Sequence, residues 1–183
     1  MRRLSLTGLL RGGDRRSIGR ANQIAKLVLS EPKRFAELVG CLWDKDPLVR
    51  MRAADAAEKV TVKRPELLRP HKRELLGLLA EVEQIELRWH LASMVPRLEL
   101  TAPEKQRAAS ALLHYLEDRS SIVKTFAMQA LVDLTGQEPT LRETARPILE
   151  QAVRTGTPAM KARARKLLKG AAKLRPGRAS RIH

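Results

Sequence analysis

An apolar residue followed by a cation recurs at Val49-Arg50, Leu87-Arg88, Val123-Lys124 and Met160-Lys161, so the cations stand 38, 36 and then 37 residues apart. A fixed period between about 20 and 50 residues is the signature of a stacked array, in which each unit buries its apolar face only against its neighbours. The register extends beyond the cation. Three residues on stand Ala53, Leu91, Ala127 and Ala164, and six and seven on stand Ala56-Ala57, Met94-Val95, Ala130-Leu131 and Leu167-Leu168. Ten residues on stand Val60, Leu98, Leu134 and Ala171. Steps of three and four put these positions on one helical face, which is the expected core seam.

Local signals divide each unit into an outer and an inner helix. Residues 1–16 are rich in Arg and Gly, have no helical period, and read as a basic flexible arm. Ser17 is placed to cap a first helix reaching about Leu29. In unit one Pro32 opens the outer helix, with Phe35, Leu38, Val39 and Leu42 inward, and Asp46 caps the inner helix with Pro47 at its first position. Unit two reads as helices over 65–80 and 85–98, with Pro96 expected to kink or fray the second. Unit three covers 103–118 and 121–135, and unit four covers 140–154 and 158–173. The solenoid body thus spans 17–173, and 174–183 form a basic tail. Trp43 and Trp89 are both expected to pack, Trp89 against the neighbouring unit.

The run Leu42, Asp44, Asp46-Pro47, Val49-Arg50, Ala56-Ala57, Val60 resembles the second half of a HEAT repeat. Leu116, Asp118, Val123, Lys124, Ala127 and Leu131 match it with Lys for Arg, while Val82 and Thr155 stand where units two and four need Asp. The resemblance covers residues 31–171 and implies an all-α fold: a right-handed α-α superhelix, a HEAT-like solenoid of about four helix pairs plus an N-terminal helix. It also implies that Asp44 and Arg50, and Asp118 and Lys124, form a structural ladder between neighbouring units. A competing reading makes Arg50, Arg88, Lys124 and Lys161 a column that grips an anion. The family consists mainly of binding scaffolds, so fold alone does not give function.

Composition agrees with helices and narrows the chemistry. Aromatic residues are only 3% of the 183, so the interior must be closely packed helices over small side chains. The single cysteine, Cys41, rules out a disulfide framework within the chain and makes a reducing cytoplasm the expected setting. No run approaches the roughly 20 apolar residues that cross a bilayer. The stretch Met1 to Arg11 superficially suggests an export signal but is interrupted by Ser5, Thr7 and Gly8. The four histidines, His71, His90, His114 and His183, lack metal-ligand spacing, and Gly12-Gly13 reads as a flexible joint. No catalytic constellation emerges, and the expectation is a non-enzyme without cofactor.

Net charge is +16, and its placement directs the functional reading. Residues 1–20 carry six Arg against one Asp, residues 151–183 carry ten Lys or Arg and no acid, and the body between is nearly balanced. The C-terminal segment, with Lys161, Arg165, Lys169, Lys173, Arg175, Arg178 and Arg181, reads either as the polar cap that a solenoid needs or as a site for an acidic protein or nucleic acid. On the inner helices Arg52, Lys59, Arg97, Arg163 and Lys166 form either a basic concave strip or ordinary solubilising charge, since Asp55 and Glu58 interleave with them. The favoured function is a non-catalytic scaffold that engages an acidic macromolecule through its concave face and basic termini. The alternative, by likeness to the curved arrays of DNA-alkylation-repair glycosylases, would use Trp89, Asp55, Arg52 and Arg97.

Overall fold

The computed structural model describes residues 4–14 and 17–173, with side chains as far as residue 170. No strand occurs among the described residues, and the chain runs through helices α1 (Leu6–Leu10), α2 (Ala21–Ser30), α3 (Phe35–Gly40), α4 (Pro47–Lys63) and α5 (Lys72–Glu81). It continues through α6 (Ile85–Met94), α7 (Ala102–Tyr115), α8 (Ser121–Leu134), α9 (Leu141–Thr155) and α10 (Pro158–Lys173). Short 3₁₀ turns extend α3 at both ends, over Pro32–Arg34 and Cys41–Trp43, and precede α5 over Pro65–His71.

Asp46-Pro47 and Pro96 act as local chemistry requires. Asp46 accepts the Leu48 N–H at 2.9 Å, which satisfies one of the orphan donors of α4, and Pro47 follows where no donor is needed. Pro96 ends α6 early: the helix gives way to a 3₁₀ turn over Val95–Arg97. Pro147, by contrast, sits inside a continuous α9.

Helices α4, α6, α8 and α10 carry the repeated seam, and α4 lies between α2 and α6, α6 between α4 and α8, and α8 between α6 and α10. The partner helices cover this row, with α3 on α4, α5 on α6 and α7, α7 on α8, and α9 on α8 and α10. Ala53, Leu91, Ala127 and Ala164 have no exposed surface, and Ala56, Ala57, Met94, Val95, Ala130, Leu131, Val60, Leu98 and Leu134 are buried with them. The alanines among these positions let backbones approach closely, and burial of the whole set removes its apolar surface from water. The core is one large cluster through the first three pairs, and a smaller one holds the fourth.

Three expectations need correction. Ser17 does not cap the first long helix: α2 begins at Ala21 after Arg20 without a side-chain cap, and Ser17 Oγ accepts the Gly19 N–H at 3.0 Å instead. Residues 6–10 form a helix inside the presumed arm: Ser5 caps it through Gly8, and Leu6 and Leu10 are completely buried. Five residues are too few to show a period, and the helix exists because tertiary packing stabilises it. Leu6 N–H donates to Glu37 at 2.7 Å, and Arg34 reaches the Leu4 carbonyl at 2.9 Å. Trp43 is not packed away but 48% exposed, at the end of a 3₁₀ turn that rotates it off the core face. Residues 1–3 and 15–16 of the arm, and the tail 174–183, lie outside the described residues.

Candidate binding surfaces

The inner-helix cations do not form an open strip. Arg52 is only 2% exposed, and its guanidinium is spent on backbone carbonyls of the N-terminal segment: Leu10 at 2.7 Å, Gly12 at 2.5 Å, Asp14 at 2.9 Å and Ser17 at 3.1 Å. The segment can present these carbonyls because Gly12 and Gly13 take φ of 76° and 79°, in the left-handed region where glycine is unstrained. The Gly pair read as a joint is therefore half of an arginine clamp. Lys59 donates to Asn22 and to Asp55, both at 2.6 Å, and Arg97 donates to the Glu58 carboxylate at 2.6 Å and to Thr61 at 2.8 Å. Arg163 donates to Gln129 at 2.9 Å, and both Arg97 and Arg163 act electrostatically on Asp133, whose pKa burial raises. Lys166 is exposed and has no hydrogen-bonded partner among the described residues.

Trp89, Asp55, Arg52 and Arg97 likewise have separate commitments. Trp89 lies on Phe126 of the next pair with ring centroids 5.2 Å apart, while Asp55, Arg52 and Arg97 are bound as above. Beside them lies His90, which the repeat register would put on the solvent side: it is 2% exposed, its Nδ1 has no partner, and burial, with the Lys59 charge adding to it, pushes its pKa down to about 3. An imidazole so placed is neutral. No set of three or more His, Cys, Asp or Glu positioned for a metal occurs among the described residues.

The turns between paired helices carry a ladder. Arg11 reaches Asp44 at 3.3 Å; Arg50 donates to Gln84 of the next pair at 2.8 Å; Arg88 donates to Asp118 of the next pair at 2.5 Å. Arg50 and Arg88 also bind the carbonyl six residues back, Asp44 and Val82, each at 2.8 Å. Asp44 and Asp118 accept the N–H two residues on, from Asp46 and Ser120. Burial pushes the Asp118 carboxyl up, but the Ser120 N–H and the Arg88 guanidinium outweigh it and hold it below the usual range. The rungs run from a cation to the following pair, and Lys124 stands apart: it has no hydrogen-bonded acceptor among the described residues.

At the C-terminal end the charges are differently disposed. Arg165, Lys166 and Lys169 are exposed and Lys161 is half-buried, and none has a side-chain partner among the described residues. Lys161, Arg165 and Lys169 follow at steps of four, so they share one side of α10. The Lys173 side chain and Arg175, Arg178 and Arg181 lie outside the described residues. Unpaired cations on a rigid helix can neutralise an anionic polymer without first breaking an internal bond.

No protein-family model matches the chain, and the comparison with curated proteins finds no match. No helix among the described residues is long and apolar enough to cross a membrane.

Proposed function

We propose that this chain is a non-catalytic, HEAT-like helical-repeat module that binds nucleic acid through the cations of its C-terminal helix. The repeat reading is supported by the register of the buried seam and by the rungs that join successive pairs. One contrast carries the binding reading: Arg52, Lys59, Arg97 and Arg163 on the inner helices are held by internal acceptors, whereas exposed Arg165, Lys166 and Lys169 and half-buried Lys161 have no side-chain partner among the described residues, in a segment without a single acid. A cap requires polarity, which mixed charge supplies as well; an acid-free surface favours a polyanion. Each neutralised phosphate releases counterions, so binding weakens steeply with salt.

The test is fluorescence anisotropy with a labelled duplex DNA across a salt series. The wild-type plot of log affinity against log salt should have a slope of about −3 to −5, at roughly −0.9 per phosphate contact. Replacing Lys161, Arg165, Lys166 and Lys169 together by Gln should flatten it by about one per residue that meets a phosphate. An unchanged slope in that variant, or tighter binding to an acidic protein than to the duplex, would count against the reading. Release of a free base from the duplex would transfer it to an enzyme.

A further inference from the structure

The ladder fails at one rung, and a cavity lies at the same place. Arg11, Arg50 and Arg88 each reach an acceptor in the next stretch of structure, at Asp44, Gln84 and Asp118. For Lys124 the equivalent positions in the fourth pair are Thr155, in register with Asp118, and Thr157, in register with Gln84. Neither completes the rung: Lys124 bonds to neither hydroxyl, while Thr155 Oγ1 donates to the Gln151 carbonyl at 3.1 Å and Thr157 Oγ1 accepts the Met160 N–H at 3.4 Å. Both positions offer a neutral hydroxyl where the earlier rungs end on a carboxylate or an amide.

Beside this gap is a cavity of about 630 Å³ between α8, α9 and the start of α10. Lys124 and Arg119 supply its charge, no carboxylate is among its lining residues, and Met128, Ile148 and Met160 make much of its apolar wall. Met160 corresponds by register to Val49, Leu87 and Val123, which are completely or almost completely buried, yet it is only half-buried. The last junction therefore leaves an open groove where the earlier ones bury their apolar residue, and Lys124, on which Asp118 of the preceding turn acts electrostatically, has no carboxylate hydrogen-bonded to it. Methionine adapts its shape to irregular partners, which suits a wall that must close on an outside group.

We infer that this cavity receives a short peptide segment of a partner protein, an Asp or Glu flanked by aliphatic residues, whose carboxylate completes the broken rung with Lys124. Charge complementarity selects the occupant. A phosphodiester backbone offers the charge but nothing apolar for the wall, and a purely apolar segment would leave two cations facing it. An acidic-aliphatic peptide satisfies both, with a charge-assisted hydrogen bond at one end and buried side chains at the other. The inference is independent of the nucleic-acid reading, since it uses a different surface.

The test uses the full chain and two pools of fluorescein-labelled pentapeptide amides. One pool has Asp at the centre and Leu, Ile, Val or Met around it, and the other has Asn at the centre. The Asp pool should bind at least about tenfold more tightly, as expected when one partner of a charged pair is neutralised. Lys124→Met should erase that preference. Thr155→Asp is the sharper variant: it supplies the carboxylate in the position of Asp118, fills the rung from within, and should both raise the midpoint of thermal unfolding and abolish peptide binding. Equal binding of the two pools, or a Thr155→Asp protein that binds the Asp pool as the wild type does, would overturn the inference. Sodium octanoate binding more tightly than the Asp pool would also overturn it, in favour of a free carboxylic acid.

Discussion

At the scale of single residues, two buried polar side chains contribute in opposite ways. Arg52 binds four carbonyls, of which that of Leu10 is buried, and only a planar fork can meet them together. Arg52→Ala should cost about 3 kcal/mol in urea unfolding, and Arg52→Lys should recover little of it. Amide exchange over residues 6–10 should quicken in both variants, since α1 is tied to α4 through this clamp. Gly19→Ala should act in the same direction, because a Cβ there would stand 2.7 Å from the Arg52 Cζ and the backbone has φ of 52°. His90 instead is a liability that acid exposes. Its pKa is about 3 in the folded chain against an ordinary 6.5, so between these values the unfolded chain binds the extra proton and stability falls as pH drops. From pH 7 to pH 4.5 the loss should be about 2 kcal/mol, and His90→Gln should flatten it. Carboxylates with lowered pKa, such as Asp118 and Glu138, begin to lose their contribution only near their ordinary values of 3.8 and 4.5 and lose more below them, while the raised Asp133 acts in the opposite sense. A wild-type chain whose urea midpoint is the same at pH 7 and pH 4.5 would show that His90 accepts a proton without cost.

At the scale of elements, the joints between helix pairs are set by side chains reaching forward by about one period. Arg88 and Asp118 are the strongest case, with Asp118 nearly buried and Arg88 also lying 5.3 Å from the Tyr115 ring centroid. Tyr115 in turn donates to the Leu79 carbonyl at 2.6 Å, so one turn joins α5, α6 and α7. A double-mutant cycle of Arg88→Met and Asp118→Asn should give a coupling energy of about 1 to 3 kcal/mol. The same cycle on the exposed Arg146–Glu150 pair should give less than about 0.5 kcal/mol, since that pair lies within one helix in solvent. The sequence displayed some of this and hid the rest for a physical reason. Seam residues such as Ala53 and Leu91 are legible because burial acts on side-chain type at a fixed spacing, and Asp46-Pro47 and Pro96 because they act on their own backbone. Arg52 was illegible: its polarity reads as surface, and its acceptors are carbonyls, which no residue code records. Gln84 is not legible as an acceptor, because the motif asks for Asp at the position of Val82 while the amide two residues later accepts from Arg50. The acid-free C-terminal segment was legible in composition alone, yet only coordinates distinguish its solvent-facing cations from the occupied ones of α4 and α6.

At the scale of the whole molecule, stability should be uneven along the chain. The first three pairs share one apolar cluster that also takes in α1 and α2, whereas the fourth is held chiefly by a separate group of Met128, Leu149, Ala152, Ala164 and Leu167. Helices α9 and α10 pack mainly on each other and on α8, the cavity thins that junction, and the Lys124 rung is absent there. When units interact only with their neighbours, a weak terminal interface opens before the remainder. Native-state amide exchange should therefore find α9 and α10 opening together, at a free energy clearly below that of α4 and α6. A shortened chain ending after residue 139 should keep the helicity and the acid sensitivity of the first three pairs, because His90 and its neighbours are retained. Thr155→Asp offers the converse: by restoring the rung it should bring the exchange of α9 and α10 closer to that of α8. Uniform protection from α4 to α10, with Thr155→Asp changing nothing, would mean that the fourth pair belongs to the same cooperative unit as the others.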